Sequence, residues 1–167
     1  RLILGFLVNT TKPINLISDQ SLSKRDFRRI SDPLSKFGAN LKIKNKKNLP
    51  LIIQGTKKLK PISYIEKRGS AQCKSSVIFA GLRTKGTTYI KAKKSRNHTE
   101  LMCKYLGLPI SVKNKKKYDE IKVKQIKEIK PFDYKIPSDI SSSSFFIVLT
   151  ILSKNSKLLI KNVHVNN

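Results

Sequence analysis

One succession of elements is written into this chain three times: an apolar helix, a short polar turn and a β-rich strand. A period of this kind constrains the fold more than any single motif does. It runs as Leu2 to Val8 then Ile14-Asn15-Leu16-Ile17, as Val77 to Leu82 then Thr87-Thr88-Tyr89-Ile90, and as Phe145 to Leu152 then Lys157-Leu158-Leu159-Ile160. Leu16, Ile90 and Ile160 therefore recur at about 70 residues. In the first two copies a second helix follows the strand and stops at a glycine, Gly38 after Phe37 and Gly107 after Leu106, a usual C-terminal signal. Two short strands come next, Leu41 to Lys44 with Leu51 to Gln54, and Pro109 to Lys113 with Glu120 to Val123. A further strand opens copies two and three, at Ile62 to Glu66 and Phe132 to Ile136. The unit reads β-α-β-α-β-β, with an incomplete first repeat near residues 1–55, a second near 60–125 and a partial third near 130–167.

The first helix of each unit is apolar almost all round and is expected to be buried. The second helices, such as Arg28 to Phe37, carry charge on one face and are expected to be more exposed. Helices inside with sheets around them bury the first helices coherently. The expected fold is thus an inside-out α/β barrel lobe over residues 1–167, a length sufficient for one domain with a real core. A doubly wound parallel sheet suits the paired strands poorly.

The chain starts at Arg1, without a Met, directly on an apolar stretch, which reads as a cut through a helix. The longest apolar run, Phe145 to Leu152, falls well short of the roughly 20 residues a membrane span needs, and no cleavage-site pattern follows the first residues. A soluble, cytoplasmic protein without a membrane partner is the expectation.

The formal charge is +26, from 36 Lys and Arg against 10 Asp and Glu. The lysines are spread over the chain among many Ile, Asn and Ser, as an A/T-rich coding bias places them on solvated faces. The densest run, Lys113 to Lys117, reads as a hairpin tip. Anionic small substrates are therefore expected, and nucleic acid is not. Cys73 and Cys103 sit in apolar helical patterns without metal-ligand spacing and are expected to be buried, inert thiols. No metal and no cofactor is called for.

Three stretches carry the candidate chemistry. Ser70-Ala71-Gln72-Cys73-Lys74-Ser75 opens a buried helix, where Ser70 is a good N-cap and the unpaired N–H groups attract phosphate or carboxylate. Gln72 there needs a polar partner, and a ligand oxygen would serve. Ser21-Leu22-Ser23-Lys24-Arg25-Asp26 sits between a strand and an exposed helix, and Arg25 can hold a carboxylate in a bidentate pair. Ser95-Arg96-Asn97-His98-Thr99-Glu100 occupies the corresponding place one period later, so Arg25 and Arg96 are equivalent in the fold. Two equivalent arginines beside a serine-capped helix describe a converging anion pocket. A structural role is assigned to His98 and Glu100, and to Ile136 through Ser144.

These stretches, with Asp19-Gln20, Ala80-Gly81-Leu82, Pro137-Ser138-Asp139-Ile140-Ser141-Ser142 and Asn162-Val163-His164-Val165-Asn166, resemble the enolpyruvyl transferases in order and from end to end. Within them the resemblance is to the EPSP synthase (3-phosphoshikimate 1-carboxyvinyltransferase) branch. It implies a monomeric transferase of two lobes, each of three β-α-β-α-β-β units, closing over phosphoenolpyruvate and shikimate 3-phosphate and releasing phosphate. It implies that Arg25 grips the phosphoenolpyruvate, Ser70 and Ala71 the phosphoshikimate, Gln72 both, and Arg96 with Ser95 the phosphoshikimate. No catalytic residue is expected here, because the proton-moving groups of the family belong to the opposite lobe. Asp26 departs from the family's usual Pro, Asn97 from Asp and Ser138 from Gly. An acid at Asp26 is expected to compete for Arg25. The sister enzyme acting on UDP-N-acetylglucosamine shares a Lys-Arg segment, but Ser70-Ala71-Gln72 argues against it. A basic nucleic-acid module would instead show steeply salt-dependent binding.

Overall fold

The computed structural model describes residues 1–45 and 47–164. Contacts divide the chain into two units, Arg1–Ile129 and Lys130–Asn167. The fold is mixed α/β.

The first unit opens with α1 (Leu4–Leu7), β1 (Ile14–Leu16), α2 (Gln20–Ser23), α3 (Arg28–Lys36), β2 (Asn40–Asn45) and β3 (Asn48–Gln54). Strands β1, β3 and β2 form an antiparallel sheet in that order. Then follow β4 (Ser63–Glu66), α4 (Ala71–Leu82), β5 (Thr87–Lys93), α5 (His98–Tyr105), β6 (Ile110–Asn114) and β7 (Tyr118–Lys124). This second run is the expected β-α-β-α-β-β unit in full. Its four strands order as β4-β5-β7-β6, with β4 and β5 parallel around the α4 crossover and the other pairs antiparallel. Each sheet is open, and no closed barrel forms among the described residues.

Alternation sets which side chains face the helices. Leu49, Leu51 and Ile53 of β3 are buried, as are Thr88, Ile90 and Ala92 of β5 and Asp119, Ile121 and Val123 of β7. Ile90 lies opposite Ile121 and Thr88 opposite Val123, so one continuous apolar surface meets α4. That helix buries nine of its 12 residues. Gly5 makes its contact with α1 possible, because a Cβ there would lie 2.2 Å from the Ser76 carbonyl oxygen. The amphipathic α3 buries Ile30, Pro33 and Leu34, and Phe27 and Phe37 at its two ends are buried as well. Burial of each large side chain stabilises by roughly 1.5–3 kcal/mol. Both second helices stop where the sequence said they would: Gly38 and Gly107 have φ of +104° and +64°, conformations that favour glycine. The Lys113 to Lys117 run is exposed: Lys113 and Asn114 end β6, and Lys115 to Lys117 form the tip before β7, closed by the Lys115 N–H donating to the Tyr118 carbonyl.

The second unit holds β8 (Ser138–Asp139), α6 (Ile140–Leu152) and β9 (Val163–His164), with β8 and β9 parallel. Here the sequence reading needs correction. Neither Phe132 to Ile136 nor Lys157 to Ile160 forms a strand. β propensity alone is not enough, since a strand exists only where another chain segment takes up its backbone N–H and C=O groups. The apolar helix starts at Ile140 rather than Phe145, because the Asp139 carboxylate accepts the Ser141 N–H at 2.9 Å and caps it there. The expected burial of the first helices holds for α4, for only Leu4 and Gly5 of α1, and for no residue of α6. No helix among the described residues is long and apolar enough to cross a membrane. Val165 and Asn166 of the family-like C-terminal segment lie outside the described residues.

Candidate functional site

The start of α4 is built by two side chains. Ser70 has extended backbone angles, and its hydroxyl oxygen accepts the Cys73 N–H at 3.3 Å, as an N-cap does. Glu66, buried at the end of β4, accepts N–H groups from Arg68 at 3.1 Å, Gly69 at 2.6 Å and Ser70 at 3.0 Å. The chain thus supplies its own anion to fix the approach to the helix. An external anion is offered what remains: the Ser70 hydroxyl proton, the Gln72 side-chain amide, and the N–H groups of Ala71 and Gln72, which have no intrahelical acceptor in the first turn. Ser70 and Ala71 are half-buried and Gln72 is exposed.

Gln72 is oriented by a residue that the sequence reading passed over. Arg1 donates from Nη1 to Gln72 Oε1 at 3.2 Å and from Nη2 to the Asp26 carbonyl at 3.4 Å, while its guanidinium lies over the Phe27 ring at 5.4 Å. A guanidinium can only donate, so the amide oxygen faces Arg1 and the Gln72 NH2 group is left for another acceptor. Desolvation first, then the nearby charge of Arg25, lowers the Arg1 pKa. Arg1, Arg25 and Gln72 therefore share one electropositive corner.

Arg25 is exposed and follows α2, whose cap is the Asp19 carboxylate accepting the Leu22 N–H at 3.0 Å. β1 ends at Leu16, so Arg25 does not sit at a strand end; a short capped helix intervenes. The feared competition from Asp26 is met by another residue. Its carboxylate accepts the Arg28 N–H at 2.9 Å and Arg28 Nη2 at 3.2 Å. The hydrogen bond from the Arg28 side chain, above all, holds its pKa below the usual range.

Arg96 is exposed in the turn between β5 and α5. Its backbone is fastened to α4: Lys74 Nζ donates to the Arg96 carbonyl at 3.1 Å and pairs with Glu100 at 2.6 Å, with the two side chains only 0% and 5% exposed. The Ser75 and Thr99 hydroxyls are 2.6 Å apart. Ser95 Oγ is buried without a hydrogen-bond partner among the described residues. Glu100 is thereby a structural anion, as expected. The signal for it was Lys74, a lone cation inside an otherwise small and apolar helix.

The same helix start borders a cavity of about 400 Å³, lined by Asp26, Arg29, Tyr64, Arg68 and Cys73 among others. Burial, before the neighbouring Cys73 and Glu66, pushes the Tyr64 phenol up to about 12, so it remains a donor. Cys73 and Cys103 are both buried, as expected, and burial raises the Cys103 thiol to about 11. At the other serine-rich stretch the hydroxyls are spent locally: Ser142 donates to Asp139 Oδ2 at 3.2 Å, Ser143 to the Asp139 carbonyl at 3.1 Å and Ser144 to the Ser141 carbonyl at 2.7 Å. Ser70, Ala71 and Gln72 thus form the start of α4, with Arg1 on Gln72 and the charge of Arg25 felt at Arg1, and the backbone of Arg96 is tied to the same helix one turn further on.

The chain has relatives in sequence and in fold. The 3-phosphoshikimate 1-carboxyvinyltransferase of Streptococcus agalactiae strain NEM316 is 42% identical over 168 residues, covering 99% of this chain and 38% of the relative. That of Caldicellulosiruptor bescii is 43% identical over 170 residues, covering 99% and 39%. The chain therefore spans well under half the length of the curated relatives it matches. Among solved structures, the EPSP synthase of Acinetobacter baumannii superposes with a TM-score of 0.75 at 34% identity, over 89% of this chain and 33% of that one. The enolpyruvyl transferase NikO of Streptomyces tendae, at 13% identity and a TM-score of 0.53, shares the fold. The family model of EPSP synthase (3-phosphoshikimate 1-carboxyvinyltransferase) matches residues 1–167, and the chain belongs to that family.

Proposed function

We propose that the whole protein transfers the enolpyruvyl group of phosphoenolpyruvate to shikimate 3-phosphate and releases phosphate, and that this chain supplies the groups that hold the two substrates. In this reading Arg25 grips the phosphoenolpyruvate, Ser70, Ala71, Ser95 and Arg96 grip the phosphoshikimate, and Gln72 bridges the two. The observation that carries it is the orientation of Gln72 by Arg1. An amide whose oxygen is engaged by Arg1 leaves its NH2 group for another acceptor at the start of α4, next to the open N–H groups of that helix. Both substrates are anionic, so cations and N–H groups fixed in advance lower the cost of bringing them together. Holding two reactants in place converts a bimolecular step into a local one. The groups that move protons belong to the rest of the protein, in an opposing lobe. The present chain is read as one inside-out lobe of three repeats, in a protein that acts as a cytoplasmic monomer.

Phosphate release by the full-length protein from shikimate 3-phosphate plus phosphoenolpyruvate tests the reading. Turnover is the expected result. No release with these substrates, together with release when UDP-N-acetylglucosamine replaces the phosphoshikimate, overturns it.

A further inference from the structure

Lys74 is fully buried in the first half of α4, where an apolar side chain would cost far less. A buried ion pair is a weak source of stability, because desolvating two charges offsets most of their attraction. Its partner Glu100 forms no hydrogen bond of regular geometry among the described residues, so Lys74 is what balances the carboxylate. The pair does one thing that a packed apolar residue could not: Lys74 Nζ also donates to the Arg96 carbonyl at 3.1 Å. Glu100 lies in the first turn of α5, where the helix dipole favours an anion. The Ser75–Thr99 hydroxyl contact adds a second tie between the same two segments. The backbone of Arg96 is consequently locked to the helix that begins at Ser70, while its guanidinium stays exposed and forms no ion pair with a described residue. Next to it, Ser95 Oγ is buried and without a hydrogen-bond partner among the described residues. A rigid base under an available head group is what a binding arginine needs.

We propose that Lys74 and Glu100 are positioning residues, which act through Arg96 and Ser95 to set the affinity for the phosphorylated acceptor; this rests on the functional reading above. Removing both charges together, as Lys74→Met with Glu100→Gln, avoids leaving either one buried alone. In the full-length protein this double variant is expected to keep its melting temperature close to wild type and its phosphoenolpyruvate affinity within about twofold. Calorimetric affinity for shikimate 3-phosphate is expected to fall about tenfold, the equivalent of one well-placed charge-assisted contact. Arg96→Ala is expected to weaken shikimate 3-phosphate as well. The loss in the triple variant should then be smaller than the sum of the losses in the double variant and in Arg96→Ala, because residues acting through one another are not additive. Glu100→Asp alone, which keeps both charges paired but shortens the carboxylate's reach to Lys74, should shift the same affinity in the same direction by about threefold, and it serves if the double variant does not fold.

Unchanged shikimate 3-phosphate affinity in the variants, an equal loss for both substrates, or additive losses in the triple variant would each overturn the proposal. A wild-type protein that binds no shikimate 3-phosphate overturns the functional reading and this one with it. Binding by wild type with no loss in the variants overturns this one alone.

Discussion

Two helices of this chain start alike and finish in opposite surroundings. α4 and α6 each follow a short strand, each is capped by a side-chain oxygen, from Ser70 or Asp139, and each runs on from a polar first turn or two into an apolar second half. α4 buries nine residues between two helices and the strands of its sheet. α6 buries none, and Phe145, Ile151 and Leu152 are 79%, 76% and 77% exposed. Among the described residues its own unit offers it only the two-residue strands β8 and β9. Caps and composition suffice to make a helix, whereas burial depends on what the neighbouring elements bring. The repeat therefore predicts elements more reliably than surroundings.

The sharpest way to break this comparison is to truncate one isoleucine in each helix. Ile78→Ala, fully buried in α4, is expected to cost about 2–5 kcal/mol in urea denaturation of this 167-residue chain. Ile151→Ala in α6 should stay within about 0.5 kcal/mol. Equal losses would mean that α6 is packed as α4 is. A smaller effect tests the likeness rather than the contrast: Ser70→Ala and Asp139→Ala should each cost about 1 kcal/mol, whatever the burial of the helix that follows. A loss confined to Ser70→Ala would show that capping, too, depends on packing.

The smallest effect concerns how dry the first unit is. Burial holds the Cys103 thiol up at about 11, against an ordinary 9.0. The folded state binds this proton more tightly than the unfolded chain does, so the contribution to stability is fully present below pH 9 and is lost as pH rises through about 11. Melting temperatures taken from pH 8 to 11 should fall more for wild type than for Cys103→Ala. Parallel curves would place water at the thiol.

Much of the first unit could be read from its residues. The glycine stops at Gly38 and Gly107, the cap at Ser70 and the paired strands closing each repeat are local signals, and local signals survive folding. The strands expected at Phe132 to Ile136 and Lys157 to Ile160 failed for the opposite reason, since their apolar content says nothing about which segment would pair with them. The same divide runs through the candidate site. Arg25, Arg96 and the Ser70-Ala71-Gln72 helix start announce themselves as polar groups at element ends. Arg1 on Gln72, Glu66 under the helix approach, and Lys74 between Glu100 and the Arg96 carbonyl are partnerships across distant positions. For Lys74 and Glu66 the available hint was a charged side chain in a position due to be buried. Arg1 gave none, because its role depends on Asp26 and Phe27 arriving beside α4.

Under the proposed function the start of α4 holds both substrates through Gln72, and titration of each substrate separately into the full-length protein and its Gln72→Ala variant is the sharpest check of it. Loss of one hydrogen bond should weaken phosphoenolpyruvate and shikimate 3-phosphate alike by at least about 1 kcal/mol each. Unchanged affinity for both substrates would remove Gln72 from the site.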